Sequence, residues 1–421
     1  MKKRFNLLVP FLLLAVLSFS GCLTFSDSCK HEVTYIKPVP VYKSLEEIRT
    51  PISVSEARTM ENIGKIYYYN NYLLINEIRQ GIHIIDNADP RNPQKVAFIN
   101  IQGNIDLAVK QNILYADSYI DLLAIDISNI ANPTLVSRLE NVFPSVHEQD
   151  GKFLVAQKGE MVTEKVDCDM FFNANPDIWI IEDSSDPSIG GAISSNDVSR
   201  ALASGISGSM ARIVTSGNYI YALHNESLQI VDISTASSPS LSNTVGIQNG
   251  VETVFPHENY LFMGANNGMY IYDNSNPSSP SYLSHYEHIR ACDPVVVQGD
   301  FAYVTIRNGR DCAGWLNQLD VVNISNIYTP NVVKEVAMSN PHGLSVLDKD
   351  LFVCDGTNGL KVFDVETASS PSLVSSVGNF HAYDVIAVPS KPLLMIVGQD
   401  GLYQYERSNT EDLKLLSVLA E

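Results

Sequence analysis

One short unit recurs along the chain, and its cleanest copy runs from Leu351 to Pro371. It reads LFVCDGTNGLKVFDVETASSP: an apolar run, a turn rich in Gly and Asn, a second alternating run that ends in Asp364, and a polar turn that ends in proline. Alternating apolar runs bounded by such turns predict β-strands rather than helices. A chain built from this unit is therefore expected to be all-β.

The spacing of the copies indicates a repeat array. The residues at the ends of the alternating runs are separated by 40, 57, 49, 41, 50, 41 and 41 positions, and in six copies a proline follows seven positions later. A base period near 41 with three longer intervals is typical of repeats that carry inserted loops. Asp or Asn at such a position accepts a hydrogen bond from the backbone two residues on, and proline fixes φ where the next strand begins. These strand-end residues are Asp86, Asp126, Asp183, Asp232, Asp273, Asn323, Asp364 and Tyr405.

Each unit has room for four strands, as in the copy before Pro330, where they are predicted over 295–297, 301–306, 319–324 and 332–337. Four antiparallel strands in each unit favour a β-propeller, because radial packing buries both faces of every repeat. We predict such a propeller of four-stranded blades over residues 61–421. Eight blades are favoured. The third unit is divergent, since Pro187 follows Asp183 by only four positions, and without that unit the ring has seven blades.

Four copies carry a family resemblance. The runs GIHIIDNADPRNP, DLLAIDISNIANP, SLQIVDISTASSP and GLKVFDVETASSP resemble the LVIVD repeat family, and the resemblance covers residues 62–421. It implies a propeller on bacterial cell-surface proteins and no particular activity. The sequence also lacks the Gly-x-Ser-x-Gly, His-Glu-x-x-His and Walker motifs of nucleophilic, metalloprotease and phosphate chemistry.

The N-terminus resembles a lipoprotein leader. Basic residues 2–4 precede an apolar run over 7–17, which is too short to span a bilayer and fits a secretory signal. The following SFSGC resembles a lipobox, in which the cysteine is lipidated and becomes the new N-terminus. The resemblance implies a signal peptide over 1–21, several acyl chains such as palmitate on Cys22, and a tether over 22–60. Leu23 rather than Asp follows the cysteine, which favours the outer membrane, on its periplasmic or its outer face. The alternative is an ordinary leader with an incidental cysteine.

The charge balance excludes one class of partner. The chain has 28 basic and 47 acidic residues, and removal of the leader leaves 25 against 47. A surface this acidic repels phosphate backbones, so we expect no nucleic-acid partner.

Two inserted loops lie between the second and fourth units. The first, over 159–177, carries Asp167, Asp169 and Asp177, whose oxygens are of the type that Ca²⁺ prefers. Its spacing is not that of an EF-hand, and the alternative is a solvated acidic loop; no other cofactor is expected. The second, over 184–210, is rich in Ser and Gly, and we interpret it as a passive connection.

A third inserted loop, over 308–318, contains Cys312 and Trp315 and shares a blade with Cys292. Because an exported protein can keep disulfides, we predict a bridge between Cys292 and Cys312; the alternative is that both are reduced. Cys354 lies in an apolar strand and is expected to be a small core residue. The pairing of Cys29 and Cys168 stays open.

The candidate binding residues come from propeller geometry. The starts of the innermost strands converge on one mouth of the central channel, so side chains about 40 positions apart form a ring. Such a ring can bind a cation or a hydroxyl-rich ligand, or it can be a hydrated lining that supplies turn caps. Trp315 and Tyr119 are aromatic candidates for contacts with a sugar or a protein. The ring residues are Asp106, Arg212, Glu252, Asp293, His342 and Asp384, with His381 close by.

Two functions follow from these features. A rigid ring with inserted loops and no catalytic motif favours a non-catalytic, membrane-tethered scaffold for a protein or glycan partner. The alternative is an envelope polysaccharide hydrolase or lyase in which the carboxylates of the mouth and His342 act as acid and base. A structural envelope component is a third hypothesis.

Overall fold

The computed structural model describes residues 30–144, 148–167, 179–180, 211–288, 294–307, 316–389 and 391–420. The chain divides into two compact units. The first comprises Met1–Pro40 and Gln157–Ser195, and the second comprises Val41–Ala156 and Asn196–Glu421. Two long strands, Lys30–Ser44 (β1) and Lys152–Asp167 (β12), are neighbours in one four-stranded sheet, with Glu148–Gln149 beyond β12 and Trp179–Ile180 beyond β1.

Seven further sheets, all in the second unit, are built from the repeats and are numbered here as blades 1 to 7 in chain order. In each blade the four repeat strands are antiparallel and lie side by side in sequence order, and the first strand is the innermost because it lines the central channel. Blade 1 comprises Ile63–Tyr69, Tyr72–Glu77, Gly81–Asp86 and Gln94–Asn100, and blade 2 comprises Leu107–Lys110, Ile113–Ser118, Asp121–Asp126 and Thr134–Leu139. Blade 3 comprises Ile213–Ser216, Tyr219–His224, Ser227–Asp232 and Ser240–Gly246, and blade 4 comprises Val251–His257, Tyr260–Ala265, Gly268–Asp273 and Ser281–Glu287. Blade 5 comprises Val295–Gln298, Phe301–Ile306, Gln318–Asn323 and Asn331–Ala337. Blade 6 comprises Leu344–Leu347, Asp350–Cys354, Leu360–Asp364 and Ser372–Val377, and blade 7 comprises Ala382–Val388, Leu393–Gly398, Gly401–Glu406 and Lys414–Ala420.

Seven hydrophobic clusters hold neighbouring blades together and close the ring. Each cluster is formed by the facing surfaces of two consecutive blades, and the last one joins Leu393 and Met395 of blade 7 to Ile66 and Leu73 of blade 1. The innermost strands of all seven blades line one central channel of about 550 Å³. Apolar side chains are therefore buried on both faces of every blade, as the alternation of the repeat requires.

The predicted fold class, an all-β propeller of four-stranded antiparallel blades, is confirmed. The described residues form eight sheets, as many as the predicted repeats, and seven of them surround the channel. The divergent third repeat contributes the eighth sheet, in which strand β12 pairs with β1. Blade 2 packs directly on blade 3, since Tyr115 and Ala124 share a core with Ile220 and Val231. In blade 5 the four predicted strands match the observed ones at four of their eight boundaries and differ by one residue at the other four.

The predicted turn at the strand ends is confirmed in six blades. The side-chain oxygen accepts a hydrogen bond from the backbone N–H two residues on, at 2.7–2.9 Å. In the last copy the strand-end residue is Glu406 and not Tyr405, because Glu406 pairs with Lys414 as Asp364 pairs with Ser372. Asp183 lies outside the described residues. The confirmed residues are Asp86, Asp126, Asp232, Asp273, Asn323 and Asp364.

The same turns receive hydrogen bonds from the preceding blade. In five of the seven interfaces a side-chain hydroxyl donates to the carbonyl oxygen four residues after the strand end of the next blade, at 2.5–2.9 Å. A buried carbonyl that found no donor would cost free energy, so these bonds fix the lateral register of the blades. The pairs are Tyr115 with Ala236, Tyr221 with Pro277, Ser284 with Ile327, Ser375 with Thr410, and Ser417 with Pro90.

The segment predicted as a tether, 22–60, carries secondary structure in its described part. It contains one helical turn, Leu45–Ile48 (α1), with Ser44 and Glu47 in a capping box. The guanidinium of Arg49 pairs with Asp121, with Nε 2.9 Å from Oδ2. Strand Ser53–Glu56 (β2) then pairs with the outermost strand of blade 1, making that sheet five-stranded. From Val41 onward the segment thus belongs to the second unit, and blade 7 has four strands of its own.

Candidate functional site

Asp106, at the start of the innermost strand of blade 2, forms a buried ion pair. Its Oδ1 lies 2.8 Å from Nζ of Lys65, which comes from the innermost strand of blade 1. The same ammonium donates to the carbonyl oxygen of Ile213 in blade 3 at 2.9 Å. Both charges are almost fully removed from solvent, so each depends on the other for its stabilisation.

The second oxygen of Asp106 binds blade 3 as well. Oδ2 accepts hydrogen bonds from the backbone N–H of Arg212 at 2.8 Å and of Ile213 at 2.7 Å. Oδ1 also accepts one from the N–H of Leu107 at 2.6 Å. Asp106 therefore links three blades and caps the start of two inner strands. This is the turn-capping role that the sequence offered as the alternative to ligand binding.

His342 and His381 form a second group at the mouth, together with Tyr383. The two Nε2 atoms are 3.4 Å apart, and the ring centroids of both histidines lie within 5.6 Å of that of Tyr383. Burial, with Arg307 and His381 adding to it, lowers the pKa of His342 to about 2. Burial and Arg307 also lower the pKa of His381. Both imidazoles are therefore neutral at ordinary pH, and their Nε2 atoms lie within hydrogen-bond distance of each other.

The loop that carries His342 is fixed by its backbone. The hydroxyl of Thr305 donates to the carbonyl of His342 at 2.7 Å, and the N–H of His342 donates to Cys354 at 2.8 Å. Gly343 packs so tightly on Asp384 that a Cβ there would lie 1.9 Å from its Oδ1. Asp384 is fully buried, whereas Glu252, at the start of the inner strand of blade 4, is half-buried.

The predicted ring of mouth residues is thus resolved into two groups. Asp106 accepts a hydrogen bond from the backbone of Arg212, whereas His342 lies beside His381 and its neighbour Gly343 packs on Asp384. Asp293 lies outside the described residues. Three contributors were missed: Lys65, Arg307 and Tyr383. Lys65 carried a usable signal, because a lysine inside an otherwise apolar inner strand requires a buried partner.

Several other predicted sites fall outside the described residues: Cys22, Cys29, Cys168, Asp169, Asp177, Cys292, Cys312 and Trp315. Asp167 ends strand β12, and its side chain is not described. Within the described ranges, no group of three or more His, Cys, Asp and Glu side chains is placed to hold a metal ion. Calcium binding therefore stays a prediction. Cys354 is fully buried with a free thiol, as expected for a core residue.

Tyr119 is held in place rather than free on a loop. Its backbone has a left-handed φ of 57°, and its ring packs on Gly103, where a Cβ would lie 2.5 Å from the ring. Nζ of Lys43 lies 3.4 Å from the hydroxyl and 5.6 Å from the ring centroid. The ring is half-buried, so it still offers a surface to a ligand.

Comparison with known proteins identifies the repeat. The LVIVD repeat model matches five segments, residues 105–140, 207–246, 252–288, 290–337 and 342–379, which correspond to blades 2 to 6 in turn. This chain is an LVIVD-repeat protein. No curated protein sequence matches it. In the part of the chain described above, no helix is long and apolar enough to cross a membrane.

Several solved structures are similar to this LVIVD-repeat protein, each at 12% sequence identity. The Pseudomonas aeruginosa periplasmic gluconolactonase PpgL gives a TM-score of 0.55 over 83% of this chain and 94% of that one. The computationally designed protein Ika8 gives 0.51 over 85% and 87%. A functionally unknown protein from Desulfotomaculum acetoxidans DSM 771 gives 0.50 over 86% and 96%. At this identity the likeness concerns the fold alone.

Proposed function

We propose that this LVIVD-repeat protein is a lipid-anchored component of the bacterial outer membrane. In this proposal the blades form a non-catalytic scaffold that binds a protein or glycan partner at the rim where the inner strands begin. The leader and the cysteine at position 22 support the anchor. Acyl chains on that cysteine would hold the ring at a membrane surface without a spanning helix.

One observation carries the scaffold assignment: the ionisable groups of the mouth are used to join blades. Asp106 connects blades 1, 2 and 3 through Lys65, Arg212 and Ile213. Both oxygens of this carboxylate are occupied by an ammonium ion and by backbone N–H donors, so they are not free for a substrate. These bonds make the rim rigid, and a rigid rim presents loops and aromatic rings at little entropic cost.

The alternative, a polysaccharide hydrolase or lyase, requires Asp106, Glu252, Asp293, Asp384 and His342 to act as acid and base. A general acid works best with a pKa near the operating pH, whereas the pKa of His342 is lowered to about 2. The name of the similar structure PpgL describes a gluconolactonase, and that activity does not transfer at 12% identity. The scaffold is the better-supported function.

Photo-crosslinking on intact cells tests the scaffold. A photoreactive phenylalanine analogue replaces Glu252 at the rim, and the matched control replaces Asp300, an exposed residue in the turn at the opposite end of an inner hairpin. We expect crosslinked products from position 252 only. Identical products from both positions contradict the rim assignment, and cleavage of a glycan by the purified protein contradicts the scaffold.

Membrane fractionation tests the anchor separately. We expect the wild-type protein in the membrane fraction, with acyl chains on the peptide that begins at Cys22, and we expect Cys22→Ser to leave that fraction. A wild-type N-terminus without acyl chains contradicts the anchor. Protease treatment of intact cells then assigns the face of the outer membrane, because only a surface-exposed ring is cleaved.

A further inference from the structure

A groove opens on the rim where loops of blades 1, 2 and 3 meet. It consists of two cavities of about 210 Å³ each, which share Tyr119, Phe143 and His224 on their walls. The two lobes together reach the lower end of the size range of small-molecule sites, about 300 Å³. We call this feature the rim groove and define it by Arg79, Asp117, Tyr119, Phe143, Arg212 and His224.

An arginine lines each lobe of the rim groove. Arg79 lines the first lobe, where its Nη1 donates to the carbonyl oxygen of Val155 at 2.7 Å. Its Nε is buried, and no hydrogen-bond partner for it lies among the described residues. Arg212 lines the second lobe, while its backbone N–H is held by Asp106. A guanidinium group binds a carboxylate through two parallel hydrogen bonds, so both lobes can receive an acidic group even in this acidic protein.

A carboxyl group and two aromatic rings complete the walls. Oδ1 of Asp117 accepts hydrogen bonds from Nδ2 of Asn104 at 2.7 Å and from the N–H of Ile105 at 2.8 Å, which fix the carboxyl group beside the second lobe. Carboxyl oxygens accept hydrogen bonds from hydroxyl donors. Tyr119 and Phe143 line both lobes and supply apolar faces that sugars pack against.

His224 closes the groove from blade 3. Its Nε2 lies 2.7 Å from the carbonyl oxygen of Pro144, and burial lowers its pKa. The imidazole of His224 therefore stays neutral, and its Nε2–H donates to the carbonyl oxygen of Pro144. A neutral His224 adds no positive charge beside Arg212. The lobes thus combine a cation for a carboxylate, an acceptor for hydroxyls and flat apolar rings.

From this combination we propose that the rim groove binds an acidic sugar, a hexuronate residue of a glycan, through Arg212 and Arg79, with the pyranose ring against Tyr119 and Phe143. The proposal rests on the proposed scaffold function and names the ligand class for its rim. Neutral sugars lack the carboxylate, and inorganic anions lack the ring, so each is expected to bind more weakly.

Isothermal titration calorimetry on the full-length lipidated chain in detergent tests the proposal with glucuronate, glucose and inorganic phosphate as probes. We expect glucuronate to bind about ten-fold more tightly than either of the others, since a charge-assisted pair is worth roughly that factor. Arg212→Gln is expected to lose about ten-fold in affinity for glucuronate by the same reasoning. Arg79→Lys keeps the charge, loses the planar fork, and is expected to lose less.

Arg91→Gln is the matched control, because Arg91 is an exposed arginine in a turn of blade 1 that does not line the groove. It is expected to bind as the wild type does. Equal binding of glucose and glucuronate, equal binding of phosphate and glucuronate, or wild-type binding by Arg212→Gln overturns the proposal. If glucuronate fails to bind while rim crosslinking succeeds, this inference fails and the scaffold stands; if glucuronate binds and is consumed, the scaffold fails and the site stands.

Discussion

The side-chain amides of Asn87 and Gln404 form a reciprocal pair, in which each NH₂ group donates to the oxygen of the other amide at 2.8 Å. Both residues are fully buried and lie 317 positions apart in sequence. Asn87 follows the third strand of blade 1, and Gln404 lies in the third strand of blade 7. The pair therefore closes the ring between its first and last blades with polar groups that satisfy each other.

Loss of one amide of this pair is expected to destabilise the ring. Gln404→Leu leaves the amide of Asn87 buried without its partner, which costs about 1–3 kcal/mol. Urea denaturation of the purified chain measures the change. Gln94→Ala, at an exposed amide in the same closing region, is the control and is expected to leave the midpoint unchanged. An unchanged midpoint for Gln404→Leu would mean that the hydrophobic cluster alone closes the ring.

The ion pair between Lys65 and Asp106 is expected to be strongly coupled. Asp106→Asn leaves a buried ammonium without its counter-ion, and breaking such a pair costs about 3 kcal/mol. The double variant Lys65→Met with Asp106→Asn is expected to lose less than the sum of the two single changes. The exposed pair of Lys349 and Asp364 provides the control, since Lys349→Gln should barely alter the unfolding midpoint. If the stability losses of the two single variants add up to the loss of the double variant, Lys65 and Asp106 are not coupled.

The strand-end turn accepts either Asp or Asn, because the side-chain oxygen of each accepts the same backbone hydrogen bond. Asp232 accepts a hydrogen bond from the N–H of Ser234, which lowers its pKa, and blade 5 uses Asn323 at the equivalent position. Asp232→Asn is therefore expected to keep the melting temperature and Asp232→Ala to lower it. The difference in melting temperature between Asp232→Ala and the wild type should shrink as the pH falls below 3.8, the ordinary pKa of aspartate. Protonation of Asp232 weakens its carboxyl group as a hydrogen-bond acceptor. Equal melting temperatures for Asp232→Asn and Asp232→Ala at neutral pH would show that this hydrogen bond does not stabilise the turn.

The cysteines at 292 and 312 are expected to be bridged in the exported protein. Closure of a loop of this size stabilises the fold by about 3 kcal/mol in the chain-entropy model. Peptide mass mapping without reductant checks the bridge directly. Detection of two alkylatable thiols at these positions contradicts it, whereas the buried thiol of Cys354 should react only after unfolding.

Local chemistry explains which features were predictable. The strands and their turns follow from alternation and from the hydrogen bond that Asp86 and its equivalents make two residues away, so sequence alone placed them. Alternation alone predicts Tyr405 as the last strand end, because it does not show which residue ends a strand, whereas the pairing of Glu406 with Lys414 does. The pairing of strands β1 and β12 depends on contacts about 130 positions apart, as between Thr34 and Thr163. The partners of Asp106 are likewise distant, and no local pattern encodes them.

The buried histidine of the rim is expected to make stability depend on pH. Burial, with Arg307 and His381 adding to it, lowers the pKa of His342 from 6.5 to about 2. Between these values the unfolded chain binds a proton at this site and the folded chain does not, so stability is fully present above pH 6.5 and is lost as the pH falls. From pH 7 to pH 5 the loss from this one group is about 2 kcal/mol. Denaturant midpoints at both pH values measure it.

Two variants isolate that contribution. His342→Gln removes the titrating group and is expected to be less stable than the wild type at pH 7 but to lose about 2 kcal/mol less on going to pH 5. Tyr383→Phe keeps the imidazole beside its ring, so it should follow the wild-type pH dependence. If His342→Gln and the wild type lose stability equally over this range, His342 already carries its proton in the folded chain, and the neutral pair of imidazoles at 3.4 Å is excluded.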